Sequence, residues 1–508
     1  MARETKNKNS AFEDGIKKTI PKILEEIRAL YLEDLSPWVV GYSGGKDSTA
    51  VLQLIWMAIS ELKKAERHKT IHVISTDTLV ENPIVASWVD NSLMKMEAAS
   101  SEQKLPMEPH RLTPTVENSF WVNLLGKGYP APRHKFRWCT ERLKISPSNE
   151  FILNVVKNSG EVILALGTRK AESSARKARM KKLEKGRMRD RLSPNASLPN
   201  ALVYSPIEDW TNDDVWLFLM QYKNPWGYQN KDLLTMYQGA SPDGECPLVI
   251  DTTTPSCGDS RFGCWVCTLV DKDKSMSAMI QNDEEKEWML PLLKFRDKID
   301  FRRGGELNGD RHMRDYRKIG GNLQVYKDRL VHGPYTQKTR ESLLSELLKA
   351  QKYIQTNGPD NVELISFEEL QEIRRIWVVE KHEIEDNLPK IYKEITKENF
   401  PIPSLDEDLP LSSDDLELLR ETCQGDEQDY ELIRGLIDVE HRYRTMVSRR
   451  GLFGSLEEVF ARYMYEDESD AEDMAKRKLI ALEKARANQQ FEIDLKITEE
   501  GMQSSDDS

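Results

Sequence analysis

The 508-residue sequence predicts an α/β protein, a parallel sheet with helices on both faces, followed by an all-helical C-terminal region. Three observations carry this. From about residue 37 to 250 short apolar segments (VVGY, IHVIST, EVILALGT, ALVYSPI) alternate with longer helical or polar stretches, the pattern of a parallel sheet covered by helices. A glycine-rich loop, SGGKDS, stands between the first of these segments and a helical one. Beyond about residue 280 the composition shifts to long Leu-, Glu- and Lys-rich segments such as TRESLLSELLKAQKYIQ and SLEEVFARYMY, which read as helices.

In chain order, residues 14–35 read as an amphipathic leading helix interrupted at Pro21. Trp38-Val39-Val40 reads as a buried strand, and Ser48 to Met57, apolar at helical spacing, as the helix after it. ISTDTL, residues 74–79, is a second buried strand ending in Asp77. Residues 241–268 are rich in Pro, Gly, Asp and Thr, hence loop, and the acidic tail from about 496 reads as disordered. The expected segments are therefore 1–36, 37–240, 241–320, 321–495 and 496–508, with no internal repeat.

The loop between first strand and first helix is where function becomes readable. Gly44 and Gly45 allow a tight turn whose N–H groups converge, and a helix N-terminus behind them favours an anion. That is a phosphate cradle. An ordinary P-loop needs a glycine, four residues, then Gly-Lys-Ser/Thr, the hydroxyl holding magnesium. Here Val40 takes the first glycine's place and Asp47 the hydroxyl's, so the match fails at both ends.

Composition limits the rest. No run of about eighteen apolar residues appears, and MARETKNKNS lacks an apolar signal region, so neither a membrane span nor secretion by that route is expected; the chain reads as cytoplasmic. A formal net charge of −12 argues against a protein that coats nucleic acid alone, yet residues 169–191 carry eleven basic residues against three acidic ones. This stretch is either a solvated helix or loop, or a contact for a phosphate backbone.

Reduced cytosolic thiols make the six cysteines ligands, reactive groups or core filler before disulfides. Cys257, Cys264 and Cys267 form C-x6-C-x2-C in the loop-rich segment, with Cys246 nearby; Cys139 in FRWCTERLKISP is a distant fourth candidate, and Cys423 reads as filler. Zinc with four thiolates and an iron-sulfur cluster both suit such loop cysteines. Cys139, flanked by Arg137 and Arg142, also reads as a thiolate of low pKa suited to carry sulfur.

SGGKDS resembles the PP-loop of the ATP pyrophosphatases, which cut between the alpha and beta phosphates. FRWCTERLKISP, LGTRKAESSAR and YSPIEDWTNDDVWLFL follow it in the order of the PAPS reductase superfamily. Together with CGDSRFGCWVC and SFWVNLLGKGYPAPRHKFRWCTERLKI, these motifs resemble the DndC family, sulfurtransferases of bacterial DNA phosphorothioation, over about residues 30–320. The resemblance implies an ATP-dependent sulfurtransferase using ATP, Mg and a 4Fe-4S cluster, with DNA, a cysteine desulfurase and other Dnd proteins as partners. By the same resemblance Ser43, Gly44, Gly45, Lys46, Asp47 and Ser48 hold the triphosphate, Asp77 meets the adenosine, and Arg137 and Lys144 face phosphates. Gly167, Arg169, Glu172 and Arg176 would form a second anion loop, and Cys139, Cys257, Cys264 and Cys267 the cluster ligands, with Cys246 an alternative; Lys46, Asp47 and Cys139 would be catalytic. Trp210 and Trp216 read as packing. A sulfonucleotide reductase, a tRNA thiolase and a zinc-stabilised binding protein are the rival readings.

Overall fold

The computed structural model describes residues 10–484 apart from 242–261, 303–308, 402–410 and scattered single residues and pairs. Cys246, Cys257 and the acidic tail from 496 lie outside the described residues. The chain divides into two compact units. One comprises residues 1–120, 132–300 and 349–366, the other 121–131, 301–348 and 367–508, so the chain crosses between them more often than the expected linear segments imply.

The first unit is built on a six-stranded sheet in the order β3-β2-β1-β4-β6-β5. Its strands are β1 (Trp38–Gly41), β2 (Ile71–Thr76), β3 (Met107–Leu112), β4 (Val162–Ala165), β5 (Ser193–Pro194) and β6 (Ala201–Tyr204). All neighbouring pairs are parallel except β5 with β6. Alternation along β1 sends Trp38 and Val40 into one buried layer and Val39 into the other. The first layer is completed by helices α1 (Ile16–Glu33), α2 (Lys46–Ser60), α3 (Pro83–Gln103), α6 (Asn212–Gln221) and α7 (Asn230–Gly239). The second is covered by α4 (Ser146–Ser159) through Ile152. Helix α2 is buried on nearly all sides, which explains why AVLQLIWMAI has no polar face; its one buried amide, Gln53, donates to the carbonyls of Tyr222 and Lys223 at 3.1 Å.

One expectation is corrected. The leading helix is not interrupted at Pro21: α1 runs unbroken through it. Pro21 and Lys17, whose carbonyl loses its partner, are both exposed, so the lost bond falls where water can replace it. Strand β3, MEPHRL, carries Pro109 and three polar or charged side chains and is not among the apolar segments that read as strands. It is an edge strand paired only with β2, which is the one place in a sheet that tolerates proline.

The second unit is mainly helical: α11 (Phe367–Arg375), α12 (Asn387–Thr396), α13 (Ser413–Thr422), α14 (Glu427–Arg444) and α15 (Leu452–Arg462), with part of α10 (Gln337–Asn357). Within it Trp377 Nε1 donates to the Leu125 carbonyl at 2.7 Å, and buried Arg340 pairs with Glu383. Cys423 packs beside Leu416 and Tyr430. No described helix is long and apolar enough to cross a membrane.

Candidate functional site

The strand order reverses between β1 and β4, and open parallel sheets bind ligands at the carboxyl ends of such strands. A cavity of about 1060 Å³ lies there, lined by Gly41 and Ser43 after β1, Ile74 to Thr76 of β2, and Leu166 to Arg169 after β4. Helix α2 starts at Lys46 on its wall. Its N-cap, Gly45, offers no side chain, so the first N–H groups of the helix face the loop rather than a cap. Gly44 has φ +72°, and a Cβ there would stand 2.6 Å from Val89 Cγ2. The second glycine loop presses equally close: a Cβ on Gly167 would meet the Asp47 carbonyl carbon at 2.9 Å and the Ser48 nitrogen at 3.0 Å. Both glycines are therefore fixed by contact.

Asp47 does not replace a magnesium-binding hydroxyl so much as join two cations. Its Oδ1 accepts from Arg169 Nε at 2.7 Å and its Oδ2 from Lys46 Nζ at 3.0 Å. Arg169 is only 4 % exposed and also donates to the Trp210 carbonyl at 3.3 Å, which fixes the guanidinium. Ser48 Oγ donates to the Gly45 carbonyl at 3.0 Å and lies 3.2 Å from Ser43 Oγ, so the two hydroxyls stiffen the turn. Glu172 accepts from the Arg169 N–H at 3.1 Å and pairs with Arg176; both residues line the cavity.

Other expected residues stand elsewhere. Asp77 turns its carboxylate to Arg111, 2.5 Å away, and to the Leu79 N–H at 2.9 Å, while Ile74, Ser75 and Thr76 supply the cavity wall at the end of β2. Arg137 is exposed and bonds His134, whereas Lys144 lines the cavity and reaches Glu81 at 3.4 Å. Sequence reasoning missed Tyr237. Its buried hydroxyl accepts from the Lys46 N–H at 3.4 Å, its ring lies 5.7 Å from Lys46 Nζ, and burial pushes the phenol well above its ordinary value. Nothing in LLTMYQGA marks it, because its role comes from where α7 packs.

Three of the four described cysteines, Cys139, Cys264 and Cys267, gather beside this cavity. Residues 263–265 pair with 80–82: Cys264 bridges Glu81, and the Trp265 N–H donates to the Val80 carbonyl at 3.0 Å. The Cys267 N–H closes the C-x2-C turn onto the Cys264 carbonyl at 3.1 Å, and Thr78 Oγ1 lies 3.3 Å from Cys264 Sγ. Burial pushes the Cys264 thiol up to about 11, with Lys144 opposing and Glu81 and Cys267 adding to the rise. Burial likewise raises Cys139, with Cys267 as a further charge neighbour. Burial acts to lower Lys144, yet Cys264, Glu81 and Cys139 outweigh it and hold its pKa above the ordinary value. Lys144 thus stands at once on the nucleotide cavity and among the thiols.

This corrects the expectation of a low-pKa Cys139. Arg142 donates to Asn118 Oδ1 at 2.6 Å and Arg137 bonds His134, so burial sets the thiol. Ligation would still deprotonate it. Half-buried soft sulfur donors from a C-x2-C turn and Cys139 fit an iron-sulfur centre, and fit zinc by donor type as well. No fourth cysteine of this unit is among the described residues.

Fold and site together define an α/β domain of open parallel-sheet type with a candidate phosphate cradle and an adjoining thiol group. Residues 37–269 match the family model of the phosphoadenosine phosphosulfate reductase domain. An uncharacterized protein of Methanocaldococcus jannaschii is 27 % identical over 200 residues, which are 39 % of this chain and 35 % of that one. The chain thus spans about a third of the length of that curated relative. Among solved structures, the phosphoadenylyl-sulfate (PAPS) reductase from Candida auris aligns at 12 % identity over 40 % of this chain and 86 % of its own, with a TM-score of 0.24. The U34-tRNA thiolase NcsA from Methanococcus maripaludis, with its [4Fe-4S] cluster, aligns at 15 % identity over 43 % and 72 %, with a TM-score of 0.26. Overlaps this loose carry no argument about activity.

Proposed function

We propose that the chain is an ATP-dependent sulfurtransferase of the DndC type, which replaces a non-bridging oxygen of a DNA phosphodiester with sulfur. The observation that carries this reading is Lys144, which lines the nucleotide cavity while feeling the charge of Cys264 and Cys139. A domain that only bound ATP would have no use for sulfur ligands at that wall.

A phosphodiester oxygen is a poor leaving group, and adenylylation makes it a good one. First, a non-bridging oxygen of DNA bonds to the alpha phosphorus of ATP, and the bond to the beta-phosphate oxygen breaks. Pyrophosphate leaves with magnesium, its charge held by Lys46 and the N-terminal amides of α2. Then sulfur at the sulfide level, delivered by a cysteine desulfurase with a thiol reductant, bonds to the DNA phosphorus, and AMP departs with the displaced oxygen. Asp47 keeps Lys46 and Arg169 in fixed positions, and Arg176 meets the phosphates from the second loop. A 4Fe-4S cluster held by Cys139, Cys257, Cys264 and Cys267 would supply a docking point for incoming sulfur. The other Dnd proteins would complete the modification complex.

The test is mass spectrometry of nuclease-digested DNA from cells carrying the protein with its partner genes, beside Lys46→Ala and Cys264→Ala strains. Phosphorothioate dinucleotides are expected only with the unaltered protein. Sulfur-free DNA in all three, with ATP still cleaved to AMP and pyrophosphate, would move the reading to an RNA or small-nucleotide acceptor.

A further inference from the structure

On the α4 side of the sheet, away from the switch point, parallel register places His72 of β2 opposite Glu108 of β3. His110 follows two residues later and so shares Glu108's face. Their polar atoms converge: His72 Nδ1 lies 3.0 Å from His110 Nε2 and 3.3 Å from Glu108 Oε2, and His110 Nε2 lies 3.9 Å from that oxygen. Phe151 of α4 packs on both imidazoles, with ring centroids 5.5 and 4.8 Å away, and holds them in place.

A single proton serves this arrangement poorly. Whichever of His72 Nδ1 and His110 Nε2 carries a proton, a single N–H cannot point at both the other imidazole and the carboxylate, so electron-rich atoms are left facing one another. A tetrahedral ion with bonds of about 2.1 Å sets its ligand atoms about 3.4 Å apart, which the three separations bracket. We propose that His72, Glu108 and His110 bind one divalent transition-metal ion of the zinc class, with water as the fourth ligand. Two imidazoles and one carboxylate suit that class, whereas magnesium and calcium ask for oxygen donors. Burial, opposed by Glu108, lowers both histidines from their ordinary value, which leaves the neutral imidazoles that bind metal. The ion would clip edge strand β3 to β2 two residues before the cavity wall at Ile74. This inference does not depend on the sulfur-transfer reading.

Zinc, competed against a chromophoric chelator, should show one more equivalent bound by the intact protein than by His110→Ala, with the cysteines present in both. Cobalt at this site should give a tetrahedral visible spectrum without a thiolate charge-transfer band, which separates it from binding at sulfur. If His110→Ala fails to fold, Glu108→Gln decides, because that side chain is 55 % exposed and should weaken binding at least tenfold without disturbing the sheet. Equal stoichiometry and equal affinity in the intact protein and in Glu108→Gln would overturn the proposal.

Discussion

Gly167 shows how little space the phosphate site leaves. Any side chain there must displace the backbone of Asp47 and Ser48, the turn that starts α2. Gly167→Ala should therefore cost about 1–3 kcal/mol of stability by overpacking and slow pyrophosphate release from ATP at least tenfold. Gly186→Ala, where the nearest atom stands at 3.6 Å, should change neither. Calorimetry and a coupled pyrophosphate assay decide it, and equal rates in the two variants would remove Gly167 from the site. SGGKDS was readable because backbone contact with phosphate needs glycines at fixed spacing. Tyr237 was not, since a tyrosine on an amphipathic helix looks the same whether it packs on lipophilic neighbours or on Lys46.

Helix α5 (Ser174–Glu184) buries none of its side chains and, with the turns on either side, holds the basic stretch. Its charge is less uniform than the sequence suggests. Lys170 pairs with Glu184 and Asp209, Arg187 with Glu208, Arg189 with Asp34, and Arg191 with Glu26, so these cations fasten the segment to the domain. Lys177, Arg179, Lys181, Lys182 and Lys185 are exposed, within about three turns of Arg176 on the cavity wall. Replacing those five with alanine keeps the helix propensity. If they track a DNA backbone, the slope of log affinity against log salt should flatten by about four, as fluorescence anisotropy with duplex DNA would show. An unchanged slope would leave α5 as a solvated face. Among the elements, the buried strands were legible because both faces are covered and the residues are uniformly apolar. Strand β3 was not, since an edge strand needs no such pattern, and with it His110 and Glu108 escaped notice.

Across the whole molecule, the proposed nucleotide site lies in one compact unit, and most of the C-terminal helices belong to the other, whose sequence offered no motif. That second unit carries a charge conflict of its own. Lys381 borders a cavity of about 180 Å³ with Arg434, Arg442 and Arg462. Burial, reinforced by Arg340 and Arg462 and only partly relieved by Glu383, lowers its pKa to about 8. The unfolded chain holds this proton up to about pH 10.5. Between those two values the unfolded state binds the extra proton, so stability rises as pH climbs from about 8 toward 10.5, by about 2 kcal/mol after allowance for partial exposure. Below pH 8 both states are protonated and the full penalty applies. Lys381→Met should therefore raise the melting temperature at pH 7 by several degrees and flatten its rise between pH 8 and 10. Scanning calorimetry of the full chain at several pH values reads both effects. A variant that melts lower than the parent at pH 7 would mean that Lys381 is held by a favourable partner rather than tolerated against its neighbours.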